Sequence, residues 1–158
     1  MDKRISVVDG TGERELVITR VFDAPRSLVF RLWTASEHLA RWWGPKDYTV
    51  VSCRMDVRPG GTWFRRMRAP DGTEERRRGV YREIVEPDRL VFTYMSVDAE
   101  GNPGHETLVT VTFADLGGKT RITLHQAEFE SIAARGSHLG GWSGCLERFA
   151  GYLGAALT

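Results

Sequence analysis

Cysteine is scarce in this sequence: Cys53 and Cys145 are the only two, and they lie far apart along the chain. That excludes a disulfide framework and a CxxC metal pair, and leaves a single bridge between the two as the one pairing open. Long apolar runs are missing as well. No segment comes near the roughly 18 uninterrupted apolar residues of a membrane helix. The opening MDKRISVVDGTGERELV lacks the apolar stretch that a signal peptide needs. The expectation is a protein without membrane insertion, in a reducing cytoplasm.

An excess of one charge is also absent. Lys and Arg total 22 against 21 Asp and Glu, a formal net charge of +1. Such a balance speaks against broad attraction to nucleic acid or to an anionic membrane. There is no GxSxG, HExxH or P-loop, and no GxGxxG follows a strand pattern. The histidines, His38, His105, His125 and His138, are not paired at a metal-ligand spacing. Neither a metal nor a cofactor is expected. What the chain does have is the means to build a core: 41% of its 158 residues are hydrophobic and 27% charged. That is one globular domain rather than a disordered chain.

Residues 1–13 are polar and turn-rich, and read as a mobile or edge-pairing arm before a single domain at 14–158. Leu16, Ile18 and Phe22 alternate with Val17, Thr19 and Val21, the period of a strand. Asp23 and Pro25 then offer a cap and an opening for a helix carrying Leu28, Val29, Leu32 and Trp33. A second helix starts at Ser36 and stops at Gly44-Pro45. Segments 49–57, 61–68, 74–85, 89–97, 105–114 and 119–127 are short, rich in Val, Thr and aromatics, and separated by turn signals such as Pro70-Asp71-Gly72. They predict an antiparallel meander, with the Gly- and Pro-rich 98–104 loop as a mobile lip.

Helical period returns at 137–156. At 100° per residue Leu139, Trp142, Leu146, Phe149 and Leu153 share one stripe, with Gly140, Gly144 and Gly151 opposite. Its glycines cost about 1 kcal/mol each against Ala, so this helix must be held by docking. The expected class is α+β: a seven-stranded curved antiparallel sheet around a long C-terminal helix, in the order β-α-α-β6-α.

The stretch Thr19-Arg20-Val21-Phe22-Asp23-Ala24-Pro25, followed by Trp42-Trp43-Gly44-Pro45, resembles the SRPBCC (START-like) superfamily, specifically its AHSA-type branch. Arg58-Pro59-Gly60-Gly61, Pro70-Asp71-Gly72, Gly79-Val80-Tyr81, Arg89-Leu90-Val91-Phe92 and Gly141-Trp142 extend the match, in the family's order, over residues 15–155. The resemblance implies a helix-grip fold with a cavity between sheet and C-terminal helix. It does not imply one activity: the branch includes a domain of a chaperone ATPase activator and a self-sacrificing resistance protein. The wider superfamily adds lipid-transfer domains, hormone receptors and cyclases.

Candidate ligand-binding residues follow from strand parity and helical phase. Trp63, Arg65 and Met67 share one face of their strand, with Arg65 placed to meet a carboxylate or phosphate. Phe92, Tyr94, His105, Val109 and Val111 are expected on the interior face, His105 near the pocket mouth. His125 is expected outward. On the last helix His138, Cys145 and Tyr152 recur along one flank of the stripe, beside Trp142 and Phe149. Cys145 reads equally as a small core residue. The arginines around Pro70-Asp71-Gly72 read as a solvated hairpin neutralised by Glu74 and Glu75, not as a nucleic-acid site.

The leading reading is a binding protein for a small apolar or amphipathic, even aromatic, molecule. One alternative is a cyclase- or hydrolase-like enzyme using Arg65, His105 or Tyr94 as acid or base. Another is a chaperone-associated ATPase activator. The glycine stripe opposite the apolar one offers a homodimer contact.

Overall fold

A computed structural model describes residues 6–7 and 14–156. The elements are β1 (Ser6–Val7), β2 (Leu16–Phe22), α1 (Arg26–Thr34), α2 (Ser36–Trp42), β3 (Thr49–Met55), β4 (Thr62–Arg68), β5 (Glu74–Val85), β6 (Arg89–Val97), β7 (Thr107–Asp115), β8 (Thr120–Ala127) and α3 (Ile132–Ala156). All strands pair antiparallel in one sheet of order β1-β2-β8-β7-β6-β5-β4-β3. Seven strands carry the α+β helix-grip arrangement, and the two-residue β1 adds an eighth at the edge, Ser6 opposite Thr19. The rest of the arm at 1–13 lies outside the described residues.

Period two decides which side of each strand is buried. In β2 these are Leu16, Ile18, Arg20 and Phe22, and in β8 Thr120, Ile122, Leu124 and Gln126. Ile18 sits opposite Leu124, and Val111 opposite the same residue from β7, so one apolar layer runs across the strands. Register shifts between Val50 and Ser52 and between Tyr81 and Glu83 bend the sheet around the helices. Gly79 is needed where β5 meets β6: a Cβ there would lie 1.9 Å from the Thr93 carbonyl oxygen and 2.6 Å from Trp63 Nε1.

The helices differ from expectation at their starts. Pro25 occupies the cap position of α1 rather than its first turn, and no side chain caps it. α3 begins near Ser131, whose Oγ accepts a hydrogen bond from Ala134 N (3.0 Å), about a turn and a half before the expected start. Its buried side is Trp142, Cys145, Leu146, Phe149 and Leu153. Around it Trp33 forms the hub of an aromatic cluster, in ring contact with Trp42, Trp43, Phe113, Trp142 and Phe149.

Polar ties finish the docking. Arg20 Nη2 reaches Glu147 (3.1 Å), His38 Nδ1 and Tyr152 Oη share a 2.6 Å hydrogen bond, and Arg148 Nη1 donates to the carbonyls of Trp43, Gly44 and Pro45. The loop expected as a free lip is internally bonded: Asp98 accepts from the backbone N–H of Glu100 and Asn102, and Val97 pairs with Pro103. Among the described residues no helix is long and apolar enough to cross a membrane.

Candidate functional site

A half-open cavity of about 460 Å³ lies between the inner faces of β4–β6, the segment Trp43–Tyr48 that follows α2, and the N-terminal half of α3. It exists because α3 presents glycines to it. Gly136, Gly140 and Gly141 line one wall, and a Cβ at any of them would meet no atom within 4 Å. Of the glycines read from sequence as a dimer contact, Gly140 lines this half-open cavity, while Gly151 lies exposed away from it. Gly144, next along that face, sits against Pro45 and Lys46.

The opposite walls are aromatic and apolar: Trp43, Met67, Tyr94 and Trp142. The Trp142 ring is held from behind by a chain of buried hydrogen bonds that ends on the Tyr94 backbone. Trp142 Nε1 donates to Gln126 Oε1 (2.8 Å), Gln126 Nε2 to Thr107 Oγ1 (2.8 Å), and Thr107 Oγ1 to the carbonyl of Tyr94 (2.9 Å). Such a chain orients the Trp142 indole before any ligand arrives.

Polar groups gather at one end. Tyr48 Oη donates to Glu75 Oε2 (2.9 Å), and Arg77 Nη2 donates to Glu75 Oε1 (2.7 Å). Tyr94 and His138 meet edge to face across the cavity, ring centroids 5.7 Å apart. Burial holds the Tyr94 hydroxyl above its ordinary range, against the pull of Arg77 and Arg65. Burial, with the charge of Arg77, holds His138 below its ordinary value. Both groups are thus neutral near pH 7, able to hydrogen-bond but not to contribute charge.

Known proteins place this architecture. Residues 23–154 match the family described as activator of Hsp90 ATPase homolog 1-like protein, AHSA1. The chain belongs to the AHSA1 family. The family is an SRPBCC-type domain, the superfamily that the ordered motifs resemble. A solution structure of an Arthrobacter aurescens protein is 28% identical, covers 95% of this chain and 91% of its own, and superposes with a TM-score of 0.83. The Silicibacter pomeroyi AHSA1 protein (24% identity, 90% and 99% coverage, TM-score 0.82) and a Mycobacterium smegmatis protein (24%, 98% and 98%, 0.81) share the fold. No curated protein matches the chain.

Within this AHSA1 domain, Met67, Tyr94, His138, Trp142 and Cys145 line the cavity. Arg65 points inward but sits behind the wall, its guanidinium carbon 4.3 Å from the Trp43 ring and 4.2 Å from the Trp63 ring. Trp63, Phe92, Val109, Val111 and Phe149 are buried in the packed core rather than on the cavity surface. Parity places a residue inside without saying how deep, and these fill the layer beneath. Tyr152 is likewise off the cavity, tied to His38.

His105 departs most from expectation. β7 begins at Thr107, so His105 is an exposed loop residue bonded to the Glu128 carbonyl, beside a separate pocket of about 140 Å³. It cannot act as acid or base at a molecule in the larger cavity. His125 is half-exposed and shares a 2.6 Å hydrogen bond with the Glu15 carboxylate. Among the described residues no three His, Cys, Asp or Glu side chains cluster as metal ligands would.

Trp43, Tyr48, Glu75 and Arg77 were missed from the sequence. For the last two a signal existed: they share the parity of Gly79 and Tyr81, both buried. Glu74, one residue off that parity, faces outward and bridges Arg66, Arg68 and Arg76. Tyr48 lies in an irregular segment with no period to read.

Cys53 and Cys145 are both free thiols. Burial pushes the Cys145 thiol up to about 12, so it is protonated and unreactive near neutrality. Ellman's reagent at pH 8 is expected to leave Cys145 unmodified in the folded Cys53→Ser variant and to titrate it fully in denaturant. Fast modification of the folded variant would show that burial does not protect this thiol.

Proposed function

We propose that this protein binds a small amphipathic molecule in the cavity between β4–β6 and α3. The observation that carries the reading is the space itself. About 460 Å³ is kept open by glycines on a helix that otherwise loses stability from them. The volume lies within the range of roughly 300–1,000 Å³ usual for small-molecule sites. Mostly apolar walls with a few convergent polar groups, here Glu75, Arg77, Tyr94 and His138, are what such sites use for affinity and orientation.

Trp43 and Trp142 both line the space, so occupancy is expected to change intrinsic tryptophan emission. Titration of purified protein with fatty acids, aromatic acids and polyketide-like phenols is expected to give saturable quenching and a matching rise in Tm. If no compound alters either signal at millimolar concentration, the binding reading fails. The enzyme alternative loses its proposed base in His105. Arg65 is caged by two indoles, which leaves Tyr94 alone of that trio on the cavity wall.

A further inference from the structure

We propose that the molecule bound in this cavity is an organic acid, whose carboxylate supplies the counter-ion that the opposed Arg65 and Arg77 lack beyond Glu75. The inference rests on the cavity reading above and narrows it to one ligand class.

The two arginines are directly opposed, Arg65 on β4 and Arg77 on β5, with both side chains on the inner face of the sheet. Like charges across adjacent strands repel, and burial strengthens the repulsion. Arg65 is 3% exposed, and its Nε and Nη1 have no hydrogen-bond partner. The rings of Trp43 and Trp63 cover its faces, and this cation–π contact is favourable. It leaves Nε and Nη1 unsatisfied, which is costly for a buried ion, and the hydrogen-bonding neighbours Cys53 and Tyr81 bring no charge. Among the described residues no carboxylate lies within ion-pair distance of Arg65. Its polar neighbours, Cys53, Tyr81, Tyr94 and Cys145, all have titrations raised by burial and are neutral.

Arg77 is only partly matched. Its Nη2 pairs with Glu75 and its Nη1 with the Arg76 carbonyl, but its buried Nε has no partner. Glu75 carries one charge, already engaged by Arg77 and by the Tyr48 hydroxyl. The nearby Arg148 is satisfied by three backbone carbonyls. Two guanidiniums against one carboxylate leave one positive charge at this end of the cavity. That excess, to which the carbonyl-bonded Arg148 adds, calls for an anionic group on the ligand. Arg77 lines the space directly, and Arg65 is separated from it only by Trp43, itself a lining residue. The acid's body would lie along Met67, Trp43 and Trp142.

Calorimetry with two matched sets tests this: decanoate, 1-decanol and decylamine, and 2-naphthylacetate, 2-naphthaleneethanol and 2-naphthylethylamine. In at least one set the acid is expected to bind at least about tenfold tighter than its alcohol, the amine weakest. Two variants should move the ratio of acid to alcohol affinity in opposite directions. Arg65→Met, which keeps the slot between the indoles filled, loses the preference for acid. Glu75→Gln, which releases Arg77, tightens the acid several-fold. Alcohol binding as tightly as acid in both sets overturns the inference while leaving the cavity reading intact, whereas no binding by any of the six compounds removes both. Should Arg65→Met not fold, Glu75→Gln decides alone: weaker or unchanged acid binding in that variant overturns the inference.

Discussion

Gly141→Leu is expected to make the protein more stable and nearly unable to bind its ligand. Gly141 lies on the α3 wall of the cavity, with no atom within 4 Å of where a Cβ would stand. Replacing an interior helical glycine by a good helix former gains about 0.8–1 kcal/mol, worth roughly 2–4 °C in Tm for a domain of this size. The added side chain occupies space that ligand carbons would fill. Displacing four methylene-sized groups at about 0.8 kcal/mol each removes about 3 kcal/mol of affinity, or about 100-fold. Thermal melts with and without ligand, together with calorimetry, measure both effects on one variant. A variant that binds normally would place the ligand elsewhere, and one that melts earlier would show that this wall is already in contact. Gly140→Leu provides a second position on the same wall.

Trp142→Ala is expected to have the largest destabilising effect among the cavity residues. The side chain is 4% exposed. It stacks on Trp33 (centroids 6.4 Å apart) and meets Trp43 edge to face (5.2 Å). Truncating a buried Trp to Ala typically costs about 3–5 kcal/mol, and here it also strands the Oε1 of fully buried Gln126. A Tm lower by roughly 8–16 °C is the expected result.

A double-mutant cycle separates the two contributions. Trp142→Phe keeps most of the packing but leaves Gln126 without its donor. Adding Gln126→Leu removes the stranded acceptor and should recover about 1–2 kcal/mol relative to the sum of the single changes. Strict additivity in that cycle would mean that the Trp142–Gln126 bond carries no energy of its own.

These effects also show how far the sequence could be read. The strands were legible because a half-buried antiparallel strand repeats every two residues. Leu16, Ile18 and Phe22 in β2, and Ile122 and Leu124 in β8, leave no other phase. α3 was legible for the corresponding reason at 100° per residue. The same phase brought His138, Cys145 and Tyr152 onto one flank beside Trp142; His138, Cys145 and Trp142 line the cavity, while Tyr152 is bonded to His38 away from it. Period failed where the backbone is irregular. His105 was assigned to a strand that starts two residues later, and Tyr48 lies in a connection with no repeat.

Residue pattern by itself determined the order of elements, the buried side of each, and the dependence of the glycine-rich helix on docking. These are local properties: a dihedral preference, a side-chain period and the polarity of what lies at each phase. Only the tertiary structure decided where the empty space lies. Helical period sets the angle between Gly140 and Trp142 but not the rotation of α3 against the sheet, which is what put both residues on the cavity lining. It also decided the depth of inward residues, burying Trp63, Phe92, Val109, Val111 and Phe149 in the core and leaving Met67 and Tyr94 on the cavity surface. The opposition of Arg65 and Arg77 is a matter of register between two strands. Charge count along the chain, near zero in sum, cannot show that two of its cations face each other across adjacent strands with one carboxylate paired to only one of them.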